Sequence, residues 1–275
     1  MSIPLEDNFE DIIGKAMRGL HISESDLATR TRIDRDTLGR LCRGEFGDEA
    51  ALLKIAPMLD LHARSLTMAA SKAWRPREVT MEGLAQFNTP YRDMRVNAFL
   101  IWDPASRDAA VFDTGTNVDP LLAEADSRGL TLRFIFITHT HNDHVADLDR
   151  LRAAAPGARV LANRAEPWPG AEVFAEGATF PLGGLSVETR TTSGHSVGGT
   201  TYVVTGLPRP VAVVGDALFA GSMGGGMISY ADALRNNREK ILTLPDDTII
   251  CPGHGPMTSV GEEKRHNPFF PEFKG

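Results

Sequence analysis

The chain has 275 residues, 42% of them hydrophobic, enough for one large domain or two smaller ones around a sizeable core. Its net charge of −7 argues against a protein that is basic throughout, and no segment reaches the ~18 consecutive apolar residues of a membrane span. Met1 to Phe9 lacks the basic and apolar regions of a secretory leader, so Cys42 and Cys251 are expected to be reduced thiols of a cytoplasmic protein.

Residues 1–75 have no proline between Pro4 and Pro57 and few β-branched runs, which predicts helices. Phe9, Ile12, Ile13 and Met17 are spaced for a first helix. Ser23, with Asp26 three residues on, opens a second in a capping-box-like pattern. Asp34 starts a third that buries Leu38 and Leu41 and stops at Gly44. Asp48 caps a fourth carrying Ala51, Leu52, Ile55, Ala56 and Leu59. The order Ile22–Ala28, Ile33–Leu41, then Arg43-Gly44-Glu45 resembles the Cro/repressor-type helix-turn-helix family over roughly residues 10–68. That resemblance implies a recognition helix at Asp34–Cys42 and DNA contact through residues 20–45, with Arg35, Arg40 and Arg43 as candidates. Five arginines against two aspartates make residues 30–43 locally +3. Over residues 1–75, however, 11 Lys+Arg against 12 Asp+Glu give −1, short of the usual basic footprint. A module kept for protein contact or homodimerisation is the other reading.

Ser71–Arg77 is a polar, proline-containing join, and we place a boundary there: a helical domain at 1–75 and a catalytic domain at 76–275. Beyond it, strands are expected at Val79–Phe87, Val96–Trp102, Ala109–Phe112, Leu132–Ile137, Arg159–Ala162, Leu185–Thr191, Thr200–Val204, Val211–Val214 and Thr248–Cys251. Helices are expected at Leu121–Ser127, Ala146–Ala155 and near Tyr230–Thr243. The Gly224-Gly225-Gly226 run has neither the spacing nor the lysine of a phosphate-binding loop.

Thr138-His139-Thr140-His141-Asn142-Asp143-His144 stands at the end of the apolar run Leu132–Ile137. Four metal-ligand side chains fall within six positions, a donor set suited to zinc, iron or manganese. Three later places share its form, a strand end with a small-residue turn and one donor: Gly194-His195, Gly215-Asp216 and Gly253-His254. Of the other histidines, His21 and His62 suit surface or packing roles, and His266 also falls outside these places.

This set resembles the metallo-β-lactamase superfamily, through a His-x-His-x-Asp-His motif followed by His, Asp and His, over roughly residues 78–268. The resemblance implies an αβ/βα sandwich of two mixed sheets flanked by helices, with the metal site at one edge. It implies two divalent ions, zinc first, with iron or manganese as alternatives. His139, His141 and His195 would hold one ion, Asp143, His144 and His254 the other, with Asp216 between them. Asp113, in Phe112-Asp113-Thr114-Gly115, would orient the ligand loop from behind or simply form the turn. Such a pair of ions lowers the pKa of water toward ~7 and polarises the oxygen of an ester, thioester, lactam or phosphoester. Asp143 and Asp216 are the catalytic carboxylates in this reading, Asp143 also able to manage a proton.

Within the superfamily the chain looks most like the small glyoxalase II-like thioesterases and the persulfide dioxygenases, through Gly215–Ser222, Cys251–Thr258 and Glu263–Phe269. The sequence stops at Gly275, so the additional C-terminal helices that hold glutathione in long glyoxalase II enzymes are not expected. Nine residues after the bridging aspartate those relatives carry Lys or Arg, where this chain has Gly225. That departure argues against glutathione thioesters and leaves the substrate rim to the glycine run; Lys264 or Arg265 could replace the cation, but a solvated surface pair is the preferred reading of those two. A thioester or ester hydrolase acting on a small molecule is the first expectation. A mononuclear iron persulfide dioxygenase using His139, His195 and Asp216 is the second, and a metabolite-sensing DNA-binding regulator the third. With 18 Lys+Arg against 24 Asp+Glu, residues 76–275 make a poor surface for nucleic acid as substrate.

Overall fold

Along the central strands, buried side chains alternate between two faces, and that alternation builds the architecture. The computed structural model describes residues 3–274. One six-stranded sheet runs in the order β1 (Leu84–Tyr91), β2 (Met94–Trp102), β3 (Asp108–Phe112), β4 (Thr131–Phe136), β5 (Arg159–Asn163) and β6 (Glu172–Phe174). The second runs β12 (Thr258–Ser259), β11 (Ile249–Pro252), β10 (Val211–Gly215), β9 (Thr200–Thr205), β8 (Leu185–Thr191) and β7 (Thr179–Leu182). Phe99, Phe112 and Phe136 of the first sheet meet Val187, Tyr202, Val213 and Cys251 of the second in one buried layer. Phe112 and Phe136 stack 5.1 Å apart, and Tyr202 lies 4.8 Å from Phe136.

The intervening residues face outward under helices. Leu100, Val111 and Ile135 pack beneath α6 (Asp119–Ser127) and α7 (Leu148–Ala154) through Leu121, Leu148 and Leu151. Val203, Ala212, Val214 and Ile250 face α8 (Tyr230–Asn236), which continues into a π-helical turn at Asn237–Ile241, and α9 (Val260–His266). The result is a mixed α/β sandwich of two sheets between helical layers.

Residues 9–70 form α1 (Phe9–Leu20), α2 (Glu24–Thr31), α3 (Arg35–Cys42), α4 (Glu49–Met58) and α5 (Ala63–Ala70). The caps at Ser23, Asp34 and Asp48 each accept from a backbone N–H three residues on. Four helices were expected; the fifth is capped by the ring of His62, which accepts from Ser65 N. The buried side chains of these helices run without a break into the layer outside the second sheet, from Ile12, Ile55 and Leu66 to Leu218, Tyr230 and Phe270. Their packing is thus shared with the sandwich.

Three departures have local causes. The strand expected from Val79 begins at Leu84, after an isolated bridge between Met81 and Leu84. The helix expected from Ala146 begins at Leu148, because the Asp147 carboxylate accepts from Val118 N across the loop. Strands β6, β7 and β12, of two to four residues, are too short to show a period in sequence. No helix among the described residues is long and apolar enough to cross a membrane.

Candidate metal centre

Strands β3, β4 and β5 run parallel, as do β10 and β11, so their C-terminal ends share one edge of the sandwich. Loops leaving those ends deliver Asp113, His139–His144, Asp216 and His254, and the β8–β9 loop delivers His195. The seven predicted donors fall into two groups. His139, His141, His195 and Asp216 form one and Asp143, His144 and His254 the other, each with its donor atoms within 4.8 Å of one another. In the first, His139 Nε2 and His195 Nε2 lie 3.0 and 3.1 Å from His141 Nδ1. In the second, His254 Nε2 is 3.3 Å from Asp143 Oδ2. Asp216 faces both groups: Oδ2 is 3.3 Å from His195 Nε2 and 3.4 Å from His254 Nε2, and Oδ1 is 3.4 Å from His144 Nε2.

Hydrogen bonds on the far sides of the rings decide which nitrogen faces inward. His144 Nδ1–H donates to Asp113 Oδ2 at 2.8 Å, His254 Nδ1–H to Arg95 O at 2.6 Å and His195 Nδ1–H to Gly225 O at 3.0 Å. Each leaves Nε2 as a lone-pair donor toward the centre, the usual arrangement behind metal-binding histidines. Asp113, at φ +56°, also accepts from Thr138 N and Thr138 Oγ1, so one carboxylate fixes both the start of the ligand loop and His144.

The residues fit a bound cation on an observation independent of motif. His144 Nε2 and Asp216 Oδ1 are buried, and neither has a hydrogen-bond partner. Burying such polar atoms unmatched is costly, and a shared cation satisfies both. Electrostatics point the same way. Burial works against charge on Asp216, yet His254 and His144 hold its carboxyl well below the usual range. Burial likewise opposes charge on Asp143, and the hydrogen bond from His254 together with the charges of His144 and His254 outweighs it. Burial keeps His139 well below an ordinary histidine, so its ring is neutral and free to ligate.

Two supporting residues were not foreseen. Glu166 accepts from Thr140 N and Oγ1, both at 2.7 Å, and from Gly198 N at 2.8 Å, stapling the His139–His144 loop to the His195 loop. Its backbone partners lie 26 and 32 residues away, and nothing local in sequence signals them. Asn97 donates to Pro252 O and Gly255 O, both at 2.8 Å, and so holds the His254 loop. A buried amide inside the apolar run Val96–Trp102 was a readable signal. Two glycines are required by close approach. A Cβ on Gly253 would stand 2.1 Å from Asp216 Oδ1, and one on Gly224 would stand 1.8 Å from Asp216 O.

Of the remaining candidates, Gly225 lies at the centre through its carbonyl. The structure does not bring Lys264 there: its ammonium pairs with Asp246 at 2.7 Å, before β11 begins, whereas His254 follows the end of that strand. Arg35, Arg40 and Arg43 are exposed on or just after α3; Arg35 donates to Ser25 Oγ, and Arg40 and Arg43 lie against Asp36 and Glu45.

A profile of the Metallo-beta-lactamase superfamily matches residues 91–254. The chain is 30% identical over 205 residues to the hydroxyacylglutathione hydrolase GloC of Haemophilus influenzae, an alignment covering 66% of this chain and 95% of that protein. Among solved structures, ETHE1 from Myxococcus xanthus superposes with a TM-score of 0.61 at 26% identity, over 68% of this chain and 85% of the other. TTHA1623 in a di-iron-bound form gives 0.54 at 27% identity, over 66% and 99%. The chain belongs to the metallo-beta-lactamase superfamily, and with relatives named as hydrolases it stands as a hydrolase of that superfamily.

Proposed function

We propose that the protein is a dinuclear metal-dependent hydrolase of the glyoxalase II-like kind, cleaving the acyl bond of a small thioester or ester. The observation that carries this reading is the position of Asp216, whose carboxylate reaches both histidine groups, with Oδ2 beside His195 and His254 and Oδ1 beside His144. His139, His141 and His195 would hold one divalent ion, Asp143, His144 and His254 the other, and Asp216 both. Bound there, two ions, zinc or iron, supply an activated water near neutral pH and a Lewis acid for the acyl oxygen.

The chain's own part is orientation. Asp113, Arg95 O and Gly225 O fix three rings with Nε2 toward the centre, where an ion would take the place of the proton that Asp216 favours on His144 and His254. Asp143 is the most exposed of the three carboxylates there; its Oδ2, beside His254 and His144, would be the ligand atom, which leaves its other oxygen to hold a proton. The glycine run leaves the rim open, and Met227 and Ile228, 71% and 59% exposed, follow it as apolar surface suited to an acyl chain.

Anaerobic reconstitution with zinc or iron, metal analysis and a thiol-release assay on neutral, cationic and anionic thioesters test the reading. Two ions per chain with thiol release are expected. At most one ion and no release, or oxygen consumption with glutathione persulfide in place of thioester turnover, overturns it.

A further inference from the structure

The segment before α1 lies against the metal centre. Gly255 follows His254, and a Cβ there would stand 3.2 Å from Glu6 N and 3.6 Å from both Glu6 Cβ and Pro4 O. The segment is pinned at several points. Arg75 donates to Ile3 O at 2.7 Å, and the Asp7 carboxylate accepts from Lys15 and from the Ser222 hydroxyl. Lys15, on α1, also donates to Met223 O at 2.8 Å, and its ammonium sits 5.0 Å from the Phe219 ring. Phe219 in turn packs edge-on against His254, with centroids 5.7 Å apart. Residues 3–8 are therefore tied both to the His254 loop and to the loop that follows Asp216.

The segment brings a carboxylate there. Glu6 is half-buried, which raises its carboxyl, and it stands near enough to His254, Asp7, Asp216 and Lys15 for each to bear on it. Lys15 is matched by Asp7, whereas Glu6 makes no ion pair among the described residues. The glycine run at 224–226 adds no side chain. The Arg95 guanidinium is turned onto Asn88, and that of Arg75 onto Ile3 O. A substrate carboxylate arriving beside His254 would be repelled by Glu6, whereas an ammonium or a neutral group would not, and the two guanidiniums, though charged, are held on neutral acceptors of their own.

We infer that residues 3–8 form a wall of the metal centre and that Glu6 selects the substrate class, favouring neutral or cationic acyl compounds over anionic ones. The inference rests on the hydrolase reading above and deepens it.

The test compares the metal-loaded protein with Glu6→Gln, which keeps the shape, and Glu6→Lys, which reverses the charge. Acetylthiocholine, S-acetyl-N-acetylcysteamine and S-lactoylglutathione serve as cationic, neutral and anionic thioesters, and the affinities of thiocholine, N-acetylcysteamine and glutathione are measured alongside. The wild-type chain should rank them cationic, neutral, anionic by kcat/KM. Each unit of charge change at residue 6 should move the cation-to-anion ratio by ~3- to 10-fold toward the anion, in turnover and in thiol affinity alike. The same ratios in all three proteins would overturn the inference while leaving the hydrolase reading intact. Shifted thiol affinities without any turnover would uphold Glu6 and remove the hydrolase reading.

Discussion

At the metal-binding edge Asp216 is buried among imidazoles; at the seam beneath the helices Glu263 is buried among neutral groups. Glu263 accepts from Gly221 N, from Thr258 Oγ1 at 2.8 Å and from Asn267 Nδ2 at 2.8 Å. Burial pushes its carboxyl up to about 7, against those hydrogen bonds, while the carboxyl of Asp216 is held well below the usual range by His254 and His144. The two acids lie either side of one loop, since Gly221 is five residues after Asp216. Burial alone therefore does not mark a working carboxylate. Asp216 keeps its charge because cationic or metal-seeking partners converge on it, whereas Glu263 is hydrogen-bonded by neutral donors alone, with Glu262 beside it raising it further and only the more distant Lys274 of opposite charge.

If that contrast is right, the edge should fail through its metal and the seam through its pH response. Asp216→Ala should have the largest effect, because it removes the one carboxylate facing both groups. Metal retention after dialysis should fall for both ions by more than the ~10- to 100-fold typical of losing an outer partner. Retention of one ion at wild-type affinity would show that the two groups are independent. Asp113→Asn comes next. An amide can still accept from Thr138, but its NH2 then meets the His144 Nδ1–H, so the ring should turn or change tautomer. A loss of ~10- to 100-fold in metal affinity is expected, concentrated on the ion held by Asp143, His144 and His254, and read by competition with a chromophoric chelator. An equal loss at both ions would place Asp113 as a brace for the whole loop.

The same contrast explains what the sequence could show. The edge was legible because its donors are chemically unusual and crowd the ends of apolar runs, as His139–His144 does after Leu132–Ile137 and Asp216 after Val211–Val214. The two-sheet sandwich followed from the resemblance those donors carry, and the longer strands from their apolar runs. Glu166, Glu6 and Lys15 were invisible by comparison. Each is an ordinary surface-type side chain whose meaning comes from a distant partner, as with Lys15 and Met223, 208 positions apart. Lys264 could be read as a solvated surface group, but its partner Asp246, 18 residues back, could not be named. The helices at 9–70 were readable one by one from caps and spacing. That their apolar faces run on into the second sheet's outer layer, through Tyr230 and Phe270, depends on packing that no local pattern encodes.

The smallest effect on function, and the sharpest test of the contrast, belongs to Glu263. Below its ordinary value of 4.5 the carboxyl is protonated in folded and unfolded chains alike, and its contribution to stability is fully present. As pH rises from there toward about 7, the unfolded chain gives up the proton first, so the folded state binds more protons and loses stability with each step. The total across that window is on the order of 3 kcal/mol, several degrees of melting temperature for a chain of this size. Glu263→Gln removes the proton without emptying the site. Its Oε1 can accept from Asn267 and Gly221, and its NH2 can face Thr258, whose hydroxyl is free to rotate and accept. Melting of the metal-free variant should therefore lose this fall between pH 5 and 7, with metal content at pH 7 unchanged. An unaltered slope would mean that Glu263 is ionised within the fold, and that neutral donors alone can hold a buried charge in this seam.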